Sequence, residues 1–318
     1  MPMLDADDAG LDRAAALLRT GGVVAFPTET VYGLGADAFD ARAVARIFEI
    51  KARPTFDPLI VHVLDEVMLA RVASSVSPAV RALIARFWPG PLTLVLRKQA
   101  EVPDLVTAGL PTVAVRMPAH PIARALLARA GTPIAAPSAN PFGYLSPTRA
   151  EHVAAMLGER VDAIVDGGST EHGLESTIVM LEPEAVLLRH GAVPVEAIEA
   201  ITGPLARELP DAHRPLAPGR LPQHYAPRTP IRVIDDAASV PQSERERAAL
   251  LAFRAAEPGY AASRVLSARG DLREAAAHLF EYLHELDALG LARIDAERVP
   301  SEGIGAAISD RLARAAAS

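Results

Sequence analysis

Along the N-terminal two-thirds of the chain, apolar positions follow two alternating rhythms. Short apolar runs at 23–26, 59–63, 92–96, 113–115 and 134–136 are bounded by Pro, Gly or charge and predict buried strands. Between them apolar residues recur at three- and four-residue steps, as with Val44, Ile47 and Phe48, and predict helices over 11–19, 41–51, 78–87, 121–130 and 150–157. Gly21-Gly22 stop the first helix, and Pro78 opens the third, where its missing N–H removes no helical hydrogen bond. Three more strands are predicted over 163–165, 176–181 and 185–188. Strands and helices interleave, so this part reads as an α/β layer fold. Some links between strands are too short for a crossover helix, which makes the sheet mixed and not purely parallel.

The pattern breaks between Pro204 and Pro230. Seven prolines fall in that window, so neither a helix nor a central strand can persist there. Beyond it the periodicity resumes, with strands predicted over 231–234 and 264–266 and helices over 244–255, 272–289 and 304–316. The chain therefore divides into a large unit over 1–203, a proline-rich linker over 204–230 and a smaller, Rossmann-like α/β unit over 231–318.

Composition narrows the function classes. Of the 318 residues 50% are hydrophobic but only 4% aromatic, so the core must be built from Ala, Val, Leu and Ile. The absence of cysteine removes disulfides, thiolate nucleophiles and thiolate metal sites, and fits a reducing compartment. A net charge of −7 argues against a broadly basic nucleic-acid binder while leaving room for a local basic groove. The acidic N-terminus lacks the apolar stretch of a signal peptide, and no apolar run reaches membrane-spanning length, so a soluble cytoplasmic protein is expected.

Polar residues collect where strands end: Thr28, Glu29 and Thr30; Lys51, Arg53, Asp57 and His62; Arg116; Ser138 and Asn140; Ser176; Arg189. In open α/β sheets ligands gather in the crevice at strand ends. Each residue also has an ordinary structural reading. Lys51 and Arg53 suit a solvated helix C-terminus, Arg116 a salt bridge, His62 a hydrogen-bonded buried imidazole, and Ser138 and Asn140 a turn. Gly33 and Gly35 lack the spacing of a dinucleotide or Walker loop, the histidines show no metal-ligand spacing, and no Ser-His-Asp order stands out. These residues alone predict an anion-binding cleft of an α/β enzyme and name no reaction.

The stretches PTETVYGLGADAF, KARPTFDPLIVHV, WPGPLTLVL, VAVRMPAHP and APSANPFGYLSPT resemble the YrdC-like superfamily in order and spacing. GLESTIV and the linker segment PGRLPQHYAP resemble its long, two-domain members, the threonylcarbamoyl-AMP synthases. The resemblance spans about residues 23–227 and implies a YrdC-like N-terminal sheet with flanking helices. It implies an enzyme that combines L-threonine, bicarbonate (or CO2) and ATP, releases pyrophosphate and forms threonylcarbamoyl-AMP. A partner transferase would then carry the group to tRNA, with direct contact to tRNA or double-stranded RNA open.

By that resemblance Thr30, His62, Thr112, Arg116 and Ser176 would hold threonine, Thr112 at the border of the two subsites. Lys51, Arg53, Asp57, Ser138, Asn140, Ser146 and Arg189 would hold ATP, with Lys51 and Arg53 neutralising the triphosphate and serving as the catalytic pair. His224 or Tyr225 would fold over the nucleotide as a lid, and Mg²⁺ would arrive with ATP. The glycines of the first motif would let the backbone approach the ligands. Asp57 stands where many relatives carry Asn, Phe142 where a small serine is usual, and Arg220-Leu221-Pro222-Gln223 alters the linker. Two other readings compete. One is an RNA-binding module using the same groove, which acidity and scarce aromatics disfavour. The other is a carbamoyl transferase of hydrogenase maturation, whose zinc-finger cysteines this chain lacks.

Overall fold

The computed structural model describes residues 2–207, 216–219 and 225–317. The N-terminal part builds a ten-stranded mixed sheet. In chain order its strands are β1 (Met3–Asp5), β2 (Val24–Phe26), β3 (Gly33–Asp37), β4 (Ile60–His62), β5 (Leu92–Arg97), β6 (Thr112–Arg116), β7 (Ile134–Ala135), β8 (Ala163–Asp166), β9 (Thr177–Met180) and β10 (Val186–Arg189). Their spatial order is β1-β8-β2-β3-β7-β4-β6-β5-β9-β10. A second sheet follows the linker, formed by β11 (Ile231–Ile234), β12 (Ala248–Ala252), β13 (Ala262–Val265) and β14 (Arg293–Glu297) in the order β11-β14-β12-β13. All three of its pairings are parallel. The fold is thus the mixed α/β sheet plus smaller parallel α/β unit that the sequence implied.

The helices at 41–51, 78–87, 121–130 and 150–157 form at the predicted bounds. Their caps show why. Asp40 accepts hydrogen bonds from the Arg42 and Ala43 amides (2.9 and 3.2 Å), and Ala52 closes the helix in the left-handed region with φ 50°. This closure leaves Lys51 on the last helical turn, buried, facing the sheet's ligand side.

The helix expected over 244–255 does not form. A short helix, Gln242–Arg245, precedes β12, whose sequence AALLA is wholly buried in the second sheet. Alanine and leucine are strong helix formers, but here burial on both faces of a parallel sheet overrides their propensity. The pattern also omitted β1, β3 and β14, and the helices Glu66–Val72 and Val195–Thr202. β14 reads IDA at its centre, and the charge of Asp295 hides a central strand.

β3 changes the meaning of the first motif. Gly33 to Asp37 is a strand, antiparallel to β2 with Val24 opposite Gly35. A Cβ on Gly35 would stand 2.6 Å from Phe26 Cε1 and 2.7 Å from Ile134 Cγ2. That glycine therefore serves close packing, which corrects the expectation that it opens backbone to a ligand. Gly33 does line the site cavity.

β4 and β6 run parallel with His62 beside Arg116 at their C-terminal ends. Ser138 follows β7 and bridges to Gly33, while Thr177 at the start of β9 pairs with Leu92 of β5. The strand ends thus bring residues far apart in sequence to one face.

Candidate active site

Thr28, Thr30, Gly33, Arg53, Ile60, His62, Arg116, Ser138, Glu175, Ser176 and Arg189 line a single cavity. Pro218, Gly219 and Tyr225 of the linker form another part of its wall. The cavity volume is about 40 Å³, room for a few water molecules.

One side is organised by Arg116. Its Nη1 donates to Thr30 Oγ1 at 2.8 Å, its Nε donates to Gly90 O at 3.2 Å, and its Nη2 lies 2.6 Å from Glu29 Oε1. Glu29 and Arg116 are both almost fully buried. Burial alone would raise the Glu29 carboxyl, but the Arg116 guanidinium overrides it and holds the group down at about 2. The Thr28 and Thr30 hydroxyls lie 2.8 Å apart, and Thr28 Oγ1 donates to Val31 O at 2.7 Å, fixing the loop between β2 and β3. His62 is pushed down to about 3 by burial and by Arg116, so its ring is neutral at pH 7. Its Nδ1 has no hydrogen-bond partner among the described residues.

The other side carries cations over fixed carbonyls. Arg53 Nε and Nη2 donate to Asp57 O (3.1 Å) and Pro58 O (2.8 Å), and Nη2 lies 2.9 Å from Asp57 Oδ2. The Asp57 carboxylate is thus offset by Arg53, within the same loop. Burial raises the Asp57 carboxyl pKa, with Arg53 and Lys51 opposing. Arg189 donates through Nε to Ser176 O and through Nη2 to Ser176 Oγ, both at 3.1 Å. Ser176 Oγ also lies 2.7 Å from Thr93 Oγ1.

Four candidates, Lys51, Asp57, Asn140 and Ser146, do not line the cavity but stand behind its wall. Lys51 Nζ donates to Ser138 O at 2.6 Å and to the Asn140 carbonyl. Its ammonium pKa is depressed well below normal by burial and then by Arg53. Asn140 Nδ2 donates to Pro141 O (3.0 Å) and Tyr144 O (2.8 Å), locking the same loop. Ser146 Oγ donates to Glu175 Oε1 at 2.5 Å.

Thr112 opens β6, whereas Arg116 closes it, so about 13 Å of strand separates them. Thr112 lines a separate depression with Ser75, Arg97, Pro111 and Glu182, on the same sheet face but outside the cavity around Arg116. Tyr225 is 1% exposed and lies in the cavity wall; His224 falls outside the described residues.

The chain matches two family models end to end. One, described as telomere recombination, covers residues 16–191, and the other, described as the threonylcarbamoyl-AMP synthase C-terminal domain, covers 193–317. The threonylcarbamoyl-AMP synthase of Bacillus subtilis is 43% identical over 98% of this chain and 94% of its own. That of Pyrococcus abyssi is 43% identical over 95% and 92%. The chain belongs to the threonylcarbamoyl-AMP synthase family. The crystal structure of P. abyssi Sua5 complexed with L-threonine superposes with a TM-score of 0.91 at 39% identity, covering 99% of this chain and 98% of that one.

Sequence reasoning listed Glu29 among the strand-end polar residues but gave it no role, and it passed over Glu175, which sat inside the quoted GLESTIV. Arg311, which ion-pairs Glu175 from the last helix of the chain, carried no local signal at all.

Proposed function

We infer that this chain is a threonylcarbamoyl-AMP synthase, joining L-threonine, bicarbonate or CO2 and ATP and releasing pyrophosphate. The observation that carries the reading is the gathering of Arg116, Thr30, His62 and Ser176 against Arg53, Arg189 and Ser138 around one cavity. Threonine's carboxylate suits the Arg116 guanidinium, and its hydroxyl suits the Thr30 and Ser176 side. The neutral His62 ring offers a lone pair to the ammonium. Polyphosphate suits Arg53 and Arg189, with Lys51 holding the Ser138–Asn140 loop in place and reaching the phosphates once they compete for its ammonium.

The chemistry needs no covalent enzyme intermediate. The threonine amine adds to CO2 and loses a proton, giving a carbamate. A carbamate oxygen attacks the α-phosphorus, the bond to the bridging oxygen breaks, and pyrophosphate leaves with that electron pair. The residues act by placing two anions together and by neutralising charge that would otherwise drive them apart.

No group of three or more metal-binding side chains exists among the described residues. Mg²⁺ is accordingly proposed to enter on the ATP phosphates, as part of the substrate. No helix among the described residues is long and apolar enough to cross a membrane. We place the reaction in the cytoplasm, with a separate transferase passing the product to tRNA. Family membership turns the RNA-binding module and the hydrogenase-type carbamoyl transferase into secondary readings that no feature of the cavity favours.

Labelled bicarbonate tests the proposal. Incubation with threonine and ATP should yield one labelled product containing both threonine and AMP. Labelled carbon that never enters a nucleotide-containing product would contradict it.

A further inference from the structure

The helix Gly305–Ala316 packs in the C-terminal unit, yet its Arg311 guanidinium ion-pairs Glu175, which lines the N-terminal cavity. Arg311 is 1% exposed, among the largest fully buried side chains. Its Nε donates to Glu175 Oε2 at 2.8 Å, its Nη2 to His190 O at 2.9 Å and its Nη1 to Asp310 Oδ2 at 2.6 Å. The guanidinium carbon also lies 4.8 Å from the centre of the Tyr225 ring.

The Glu175, His190 and Tyr225 contacts lead to the nucleotide side. Glu175 lines the cavity and holds the Ser146 hydroxyl with its second oxygen. His190 follows Arg189, and Tyr225 closes the linker side of the cavity. Burial would raise the Glu175 carboxyl, but Arg311 and then Arg189 hold it below the usual range. Glu175 is therefore an anion in the wall of a cavity read as taking a polyanion. Arg189 turns its donors to Ser176, whereas Arg311 makes the direct ion pair with Glu175 while also meeting Asp310.

We propose that Arg311 is a positioning residue for ATP, through which the C-terminal part of the chain neutralises Glu175, fixes Ser146 and backs Tyr225 so that the cavity accepts polyphosphate. The inference rests on the ATP reading of the cavity above. Without Arg311, Glu175 would face the phosphates uncompensated, and threonine, held across the cavity at Arg116, would be spared.

Calorimetric titration of the full chain with ATP and, separately, with threonine separates the outcomes. Arg311→Met should weaken ATP binding by roughly tenfold or more while leaving threonine affinity within about twofold. Neutralising the partner in Glu175→Gln/Arg311→Met should recover most of the ATP affinity, since a buried ion pair can be replaced by neutral groups of similar volume. Unchanged ATP affinity in Arg311→Met, or a double variant that binds threonine normally but ATP no better than the single variant, overturns the inference and leaves the ATP reading intact. If Arg311→Met fails to fold, the neutral double variant decides alone: near-wild-type ATP affinity supports the inference and a tenfold loss overturns it. Wild-type protein that binds threonine but not ATP would instead overturn the nucleotide reading and the inference with it.

Discussion

Acidification should expose His62 as a buried neutral base. The residue is 3% exposed, and burial together with the Arg116 guanidinium pushes its imidazole down to about 3. In the unfolded chain the same ring titrates at about 6.5. Between those values the unfolded state takes up a proton that the folded state refuses. The stability contributed by the neutral ring is therefore complete above pH ~6.5 and erodes as the pH falls, by ~1.4 kcal/mol per pH unit. At pH ~5 the loss amounts to ~2 kcal/mol, and this holds whether the folded value is 3 or a unit higher. Urea unfolding of wild type and His62→Gln at pH 7.5 and 5 measures it, because glutamine keeps a polar side chain of similar size without titrating. The other histidines with lowered values, His120, His172, His190, His152 at about 4 and His284 at about 3, are common to both proteins and cancel in the difference. Glu29, at about 2, weakens folding only below the usual carboxylate range. Wild type should lose ~2 kcal/mol more than the variant on this descent. Parallel stability curves would refute the assignment of His62 as neutral.

Arg53→Ala should nearly abolish pyrophosphate release and also cost ~3–5 kcal/mol of stability, because it strands buried Asp57. Adding Asp57→Asn to Arg53→Ala should restore part of the stability and little of the turnover; near-normal turnover would remove Arg53 from the nucleotide side. Gly35→Ala should lower stability by ~1–3 kcal/mol by driving a methyl into Phe26 and Ile134. An unaltered melting temperature would mean β2 and β3 have room to spare. Tyr225→Leu should weaken ATP binding several-fold and leave threonine binding alone, by titration of each ligand; equal ATP affinity would take the tyrosine out of the nucleotide wall.

Much of this molecule was legible in its sequence because local signals agreed with the global fold. Proline at Pro78 and Pro121, the Asp40 cap and the apolar spacing of Val44, Ile47 and Phe48 fix their helices whatever surrounds them. The strand-end polar residues largely converge, since sheet order alone sets His62 beside Arg116. Legibility failed where tertiary context outweighed composition. AALLA looks helical until a parallel sheet buries both its faces, and Asp295 masks a central strand because its charge is met by Arg232 and Arg293, far away or out of pattern. Thr112 shares a strand face with Arg116 but lines a separate depression about 13 Å along the strand, a separation that residue spacing alone does not convey. Arg311 lies 136 residues from the carboxylate it serves, a contact that no window along the chain can reveal.

Pyrophosphate release from ATP, with threonine and bicarbonate omitted in turn, tests the central claim most directly. The account predicts release that requires both co-substrates, because neither the amine nor the carbon source alone makes the attacking carbamate. Release at the full rate with ATP alone, or none in folded protein supplied with all three, would contradict it.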